Sequence, residues 1–93
     1  MLAPIARELA THDASLTKQL RDAASSITQN LAEGSERRGK DRKLHYRYAH
    51  GSVAEVIGSL ELAVAWGYLD ATVVAPAIEL AGRVRAMAYR LSS

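Results

Sequence analysis

Apolar residues recur along this chain every three or four positions and seldom alternate, so the pattern predicts helices throughout. Turn and capping residues divide it into four stretches. A short first helix is expected around Pro4–Ala10, with Pro in its first turn and Leu2, Ile5 and Leu9 on one side. Thr11, His12 and Asp13 offer capping chemistry for a second helix running to about Glu33, where Gly34 is expected as a left-handed C-terminal cap. Its Leu16, Leu20, Ala23, Ile27 and Leu31 fall in a narrow arc, with Lys18, Asp22, Ser25 and Gln29 opposite.

After the polar link Gly34–Gly39, a third helix is predicted from about Lys40 to Trp66, closed by Gly67. Its main apolar face reads Tyr46, Ala49, Val53, Val56, Leu60 and Val64. A second stripe lies beside it: Leu44, Tyr48, Ser52, Glu55, Ser59, Leu62 and Trp66. Two apolar faces on one helix imply that a second surface is covered, most economically by another copy of the chain. Leu44, Tyr48, Ser52, Glu55, Leu62 and Trp66 are the expected oligomer contacts. Glu55 is expected to be partly buried there and ion-paired or hydrogen-bonded, with Arg21, Arg85 or a tyrosine hydroxyl as partner. Gly51–Ser52 and Gly58–Ser59 suit close approach of another helix.

Asp70 is a suitable N-cap for the fourth helix, whose core face reads Val73, Ala77, Leu80, Val84, Met87 and Leu91. Pro76 leaves two starts open: a helix from Asp70 kinked at Pro76, or a short turn at Asp70–Val74 with the helix proper beginning near Pro76. The short links force antiparallel neighbours. The fold class is therefore all-α, one bundle domain over residues 1–93.

Composition agrees with this reading. Apolar residues make up 48% of the chain, mostly Ala and Leu, and only five residues are aromatic. With no Cys, disulfides and thiolate metal sites are excluded. Charge at Arg7 and Glu8 argues against a signal peptide, and no long uncharged apolar run suggests a membrane span, so a cytoplasmic location is expected.

The net charge of +2 is too small to imply a polyanion partner, but its distribution is uneven. From Glu36 to Arg47, six basic residues (Arg37, Arg38, Lys40, Arg42, Lys43 and Arg47) stand against two acidic ones. The rest of the chain holds six basic and eight acidic residues. Lys40, Lys43, Arg47 and His50 also align at helical spacing, a stripe suited to neutralising phosphates. A solvated helix start is the plainer account, since no aromatic is clearly interleaved for base stacking.

Catalytic and metal chemistry find little support. No Glu-x-x-His pair occurs, so His12, His45 and His50 are better read as surface or interface residues, and no metal or cofactor is expected. No serine sits in a nucleophile elbow, and no glycine-rich phosphate loop is present.

The run Gln19-Leu20-Arg21-Asp22-Ala23-Ala24-Ser25-Ser26-Ile27-Thr28-Gln29-Asn30-Leu31-Ala32-Glu33-Gly34 resembles a signature of the 23S rRNA intervening-sequence family of four-helix bundle proteins. An Arg-bearing link follows, then Ala49-His50-Gly51-Ser52-Val53-Ala54-Glu55 and the turn Gly67-Tyr68-Leu69, in the family's order and spacing. The resemblance covers about Leu16 to Asp70. It implies an up-and-down four-helix bundle assembled into a ring, usually a homopentamer, with no established enzymatic activity. It also implies kinship with accessory proteins of diversity-generating retroelements, which bind nucleic acid and a reverse transcriptase through basic surfaces. Against that pattern the first helix is shortened, and His45, Tyr46 and Tyr48 stand where the family has bulky aromatics.

The sequence thus points to a non-enzymatic oligomeric module binding RNA or DNA through Arg37, Arg38, Lys40, Arg42, Lys43 and Arg47. The alternative is a structural or protein-interaction bundle docking a partner protein through the second stripe of the third helix.

Overall fold

Aspartates open two of the helices and glycines shape two of the turns. In the computed structural model, which describes residues 2–93, the elements are α1 (Leu2–Ala10), α2 (Ala14–Glu36), α3 (Gly39–Ala65) and α4 (Ala71–Ser92). Asp13 caps α2 by accepting the Leu16 N–H at 2.9 Å. Asp70 caps α4 by accepting both the N–H and the hydroxyl of Thr72, each at 3.0 Å. These bonds satisfy N–H groups that a helix start otherwise leaves without a partner. At the other end of α3, Gly67 adopts φ 77°, so the Tyr68 N–H reaches the Ala63 carbonyl and the Gly67 N–H the Val64 carbonyl, both at 2.9 Å. This is the expected glycine cap. α1 starts at Leu2, which keeps Pro4 in the first turn, where its missing N–H leaves no bond unmade. α4 runs unbroken from Ala71 through Pro76, so the first of the two possible starts is the one adopted.

Gly34 differs from expectation. α2 does not end there but continues to Glu36, and Gly34 is a buried helical residue without positive φ. A Cβ at Gly34 would stand 2.7 Å from Cε1 of Tyr46 and 3.0 Å from Cδ1 and Cζ. The glycine is required by the approach of an aromatic ring to the α2 backbone, not by a left-handed turn. The left-handed residue of the α2–α3 turn is Gly39, at φ 62°.

α3 is the central helix, packed along α2 on one side and α4 on the other, while α2 and α4 scarcely touch. Both pairs are antiparallel. Ser26 meets Ser52 and Asn30 meets His45 across α2 and α3, and His50 meets Arg85 across α3 and α4. α1 lies between α2 and α4 and closes one end of the cleft with Ile5 and Leu9. Leu9, Leu20, Val53, Leu60 and Val74 are the largest fully buried side chains, each contributing about 1.5–3 kcal/mol by leaving water.

Nine residues at a helical rise of about 1.5 Å make α1 roughly 13 Å long, against about 40 Å for the 27 residues of α3. Most of the cleft between α2 and α4 is therefore uncovered, which changes the expected face of α4. Val73, Leu80, Met87 and Leu91 are 38–46% exposed, Val84 is half-buried, and only Ala77 of that set is buried. The seam against the rest of the bundle is instead Val74, Ala77, Ala81, Val84 and Ala88. Of the six residues assigned to the core, only Ala77 and Val84 lie on that seam.

Candidate nucleic-acid interface

The Lys- and Arg-rich segment forms the turn between α2 and α3 and the first turns of α3. Its members do different work. Arg42 Nε donates to the carbonyls of Gly34 (3.1 Å) and Arg37 (2.9 Å), and Nη2 donates to that of Ser35 (3.3 Å). A guanidinium bound to the last carbonyls of α2 complements the negative end of the helix dipole, so Arg42 acts as a cap. Arg37 bonds Glu33 at 3.2 Å and lies 4.0 Å from Asp41. Arg38, Lys40, Lys43 and Arg47 are exposed and form no ion pair among the described residues.

Antiparallel packing brings further groups to the same end. Arg85 of α4 lies beside the stripe, its Nε donating to Nε2 of His50 at 3.4 Å. The Tyr89 ring lies 5.9 Å from that of His50, and Tyr48 meets His45 edge-on at 6.0 Å. Tyr48 and Tyr89 are 52% and 63% exposed. Aromatic surface therefore adjoins the cations, although no aromatic interleaving was evident along the chain. Arg85 and Tyr89 are about 40 residues from the basic segment, and only the turn at Gly67 with the pairing of α3 and α4 brings them back. The half of the bundle formed by residues 24–53 and 80–93 holds nine Lys or Arg against three Asp or Glu, net +6. The remainder holds three against seven, net −4.

His45 belongs to a polar chain between α2 and α3. Asn30 Nδ2 donates to the Ser26 carbonyl (2.9 Å) and Oγ (3.1 Å), and Ser26 Oγ lies 2.8 Å from Ser52 Oγ. Asn30 Oδ1 is thus the group facing His45 Nδ1 at 3.1 Å, and the imidazole donates from Nδ1.

On the second stripe of α3, Leu44, Tyr48, Leu62 and Trp66 are exposed, Trp66 to 67%. Ser52 and Ser59 are buried, because they lie at the edge of the stripe turned toward α2. Ser52 therefore contacts α2 of its own chain rather than forming part of the outer surface. Gly51 and Gly58 face open space. Glu55, expected to be partly buried with a partner, is exposed and forms no ion pair or side-chain hydrogen bond among the described residues. The stripe is uncovered within one chain, so water solvates the carboxylate. Glu55 shares a groove of about 560 Å³ with Gln19, Asp22 and Leu62, and Asp22 there is paired with Lys18 at 2.6 Å. That pairing holds the Lys18 ammonium above its ordinary pKa.

Among the described residues, no three His, Asp or Glu side chains gather closely enough to hold a metal ion, and no helix is long and apolar enough to cross a membrane. Comparison with curated proteins finds no match, and neither does comparison with solved structures. Nearly the whole bundle, residues 5–90, matches the family model described as 23S rRNA-intervening sequence protein, and the chain belongs to that family.

Proposed function

We propose that this chain acts by binding rather than catalysis, as an oligomeric bundle whose basic end holds RNA or DNA. The observation that carries the reading is the charge separation along the bundle, +6 at one end and −4 at the other. Exposed Arg38, Lys40, Lys43 and Arg47 stand on the positive end beside Arg85, Tyr48 and Tyr89. Cations of this kind neutralise phosphates and release their counterions, while exposed tyrosines offer stacking surfaces. Repetition around a homopentamer, which the family resemblance suggests, would multiply the field.

The test is binding to a structured RNA across a salt series. Each phosphate contact adds about 0.7–0.9 to the slope of log affinity against log salt, so Arg38→Glu/Lys40→Glu/Lys43→Glu should lower that slope by about 2–3. Salt-independent binding, or none at low salt, would sink the proposal. The exposed Leu44, Tyr48, Leu62 and Trp66 favour a second reading, a bundle that pairs with a protein or with its own copies through this stripe. In that case Trp66→Glu disrupts the assembly while the basic residues are irrelevant to it.

A further inference from the structure

Where the last turns of α4 pack beside the first half of α3, cationic and aromatic side chains of the two helices meet. Lys43, Arg47 and His50 recur at helical spacing on α3, a row about 10 Å long. Arg85 and Tyr89, one turn apart on α4, lie against the end of that row. Arg85 Nε donates to His50 Nε2 at 3.4 Å, and the Tyr89 ring stands 5.9 Å from the imidazole. Lys43, Arg47, Arg85 and Tyr89 are exposed, and His50 is half-buried. Among the described residues, Lys43, Arg47 and Arg85 form no ion pair. α3 carries no carboxylate between Asp41 and Glu55, and α4 carries none after Glu79. The contact with His50 uses Nε of Arg85, so both Nη nitrogens are left for an anion.

We propose that this junction holds an unpaired base of a nucleic-acid strand, stacked on Tyr89, with the neighbouring phosphates on Arg85 and Arg47. The inference rests on the nucleic-acid reading and narrows its ligand to a single strand. Charge alone draws a duplex more strongly, because a duplex carries one phosphate for about every 1.7 Å of axis, against about 3.4 Å for one strand. The ring reverses that order. Bases in a duplex cover one another's faces and show only their edges in the grooves. A tyrosine on the side of a helix covers a base face only where the base is unpaired, in a loop, at an end or along a single strand. Tyr89 is 63% exposed, so its contact with His50 leaves the ring open to such a base. His50 touches both α4 residues, so the guanidinium and the ring are held side by side. An acidic peptide would meet the cations alone.

A labelled DNA strand of mixed sequence, about 16 nucleotides long, and the same strand annealed to its complement test this with the full chain. In fluorescence anisotropy at low salt, the single strand should bind at least about fivefold more tightly. Tyr89→Ala should bring the two affinities to within about twofold by weakening the single strand alone, with helix content unchanged by circular dichroism, and Tyr89→Phe should keep the preference. Arg85→Gln should lower the salt slope for the single strand by about 0.7. A duplex bound as tightly as the strand, Tyr89→Ala acting on both alike or on neither, or an unchanged slope in Arg85→Gln overturns the inference and leaves the nucleic-acid reading standing. Absence of binding to both DNAs at low salt overturns the two together. The inference also fails if a Glu-rich peptide binds with the same dependence on Tyr89, or if sedimentation shows Tyr89→Ala converting a self-associated protein into monomers. A partner protein or a second copy would then occupy the junction.

Discussion

Replacing Gly34 with alanine isolates the contact that joins α2 to α3. The new Cβ would lie 2.7 Å from Cε1 of Tyr46, a ring that is itself buried, so the ring or a helix must shift. Overpacking of this kind costs about 1–3 kcal/mol. Gly34 has no positive φ, so alanine introduces no backbone strain and recovers up to about 1 kcal/mol of helix propensity. The net expectation is a loss of about 1 kcal/mol, a fall in Tm of about 4–8 °C for a domain of this size. In a Tyr46→Leu background the shorter, flexible side chain yields space, and the same Gly34→Ala change should be neutral or stabilising. Urea unfolding of the four proteins, followed by circular dichroism, measures the coupling, expected at about 1–2 kcal/mol. Effects that add to within about 0.5 kcal/mol would refute the reasoning. Stabilisation by Gly34→Ala in the wild-type background would refute it more directly.

Two other variants test local chemistry. Arg42→Gln should lower stability by about 1–2 kcal/mol in urea unfolding, because three carbonyls at the end of α2 lose a charged donor, yet leave the RNA salt slope nearly unchanged. The N–H and hydroxyl of Thr72 hold the Asp70 carboxyl below its ordinary pKa. Its contribution is therefore fully present above the unfolded pKa of about 3.9 and lost as pH falls through the lower folded value. The stability difference between wild type and Asp70→Ala should be constant near neutrality and close in acid; a difference that persists to the lowest pH would contradict this account.

Much of the bundle was legible without coordinates because helix signals are local. The Asp13 and Asp70 caps, the Gly67 stop and the buried face of α3 each depend on residues within four positions of one another. The family signature lies in the same local patterns. The basic segment was also visible as a run, but the separate task of Arg42 was not, since its acceptors become neighbours only when the turn closes. Arg85 was singled out only as a partner for Glu55 and Tyr89 not by number, because both are distant in sequence from His50, which they join.

The sequence by itself determined four helices, their order and the caps at Asp13, Gly67 and Asp70, because periodicity and capping act over one or two turns. Only the tertiary structure decided which faces are covered. Gly34 takes its meaning from the ring of Tyr46, and Ser52 and Ser59 from the flank of α2. Val73, Leu80, Met87 and Leu91 have the spacing of a core and remain exposed. A hydrophobic pattern states that a face favours burial, but burial requires a neighbour long enough to lie over it, and α1 spans nine residues.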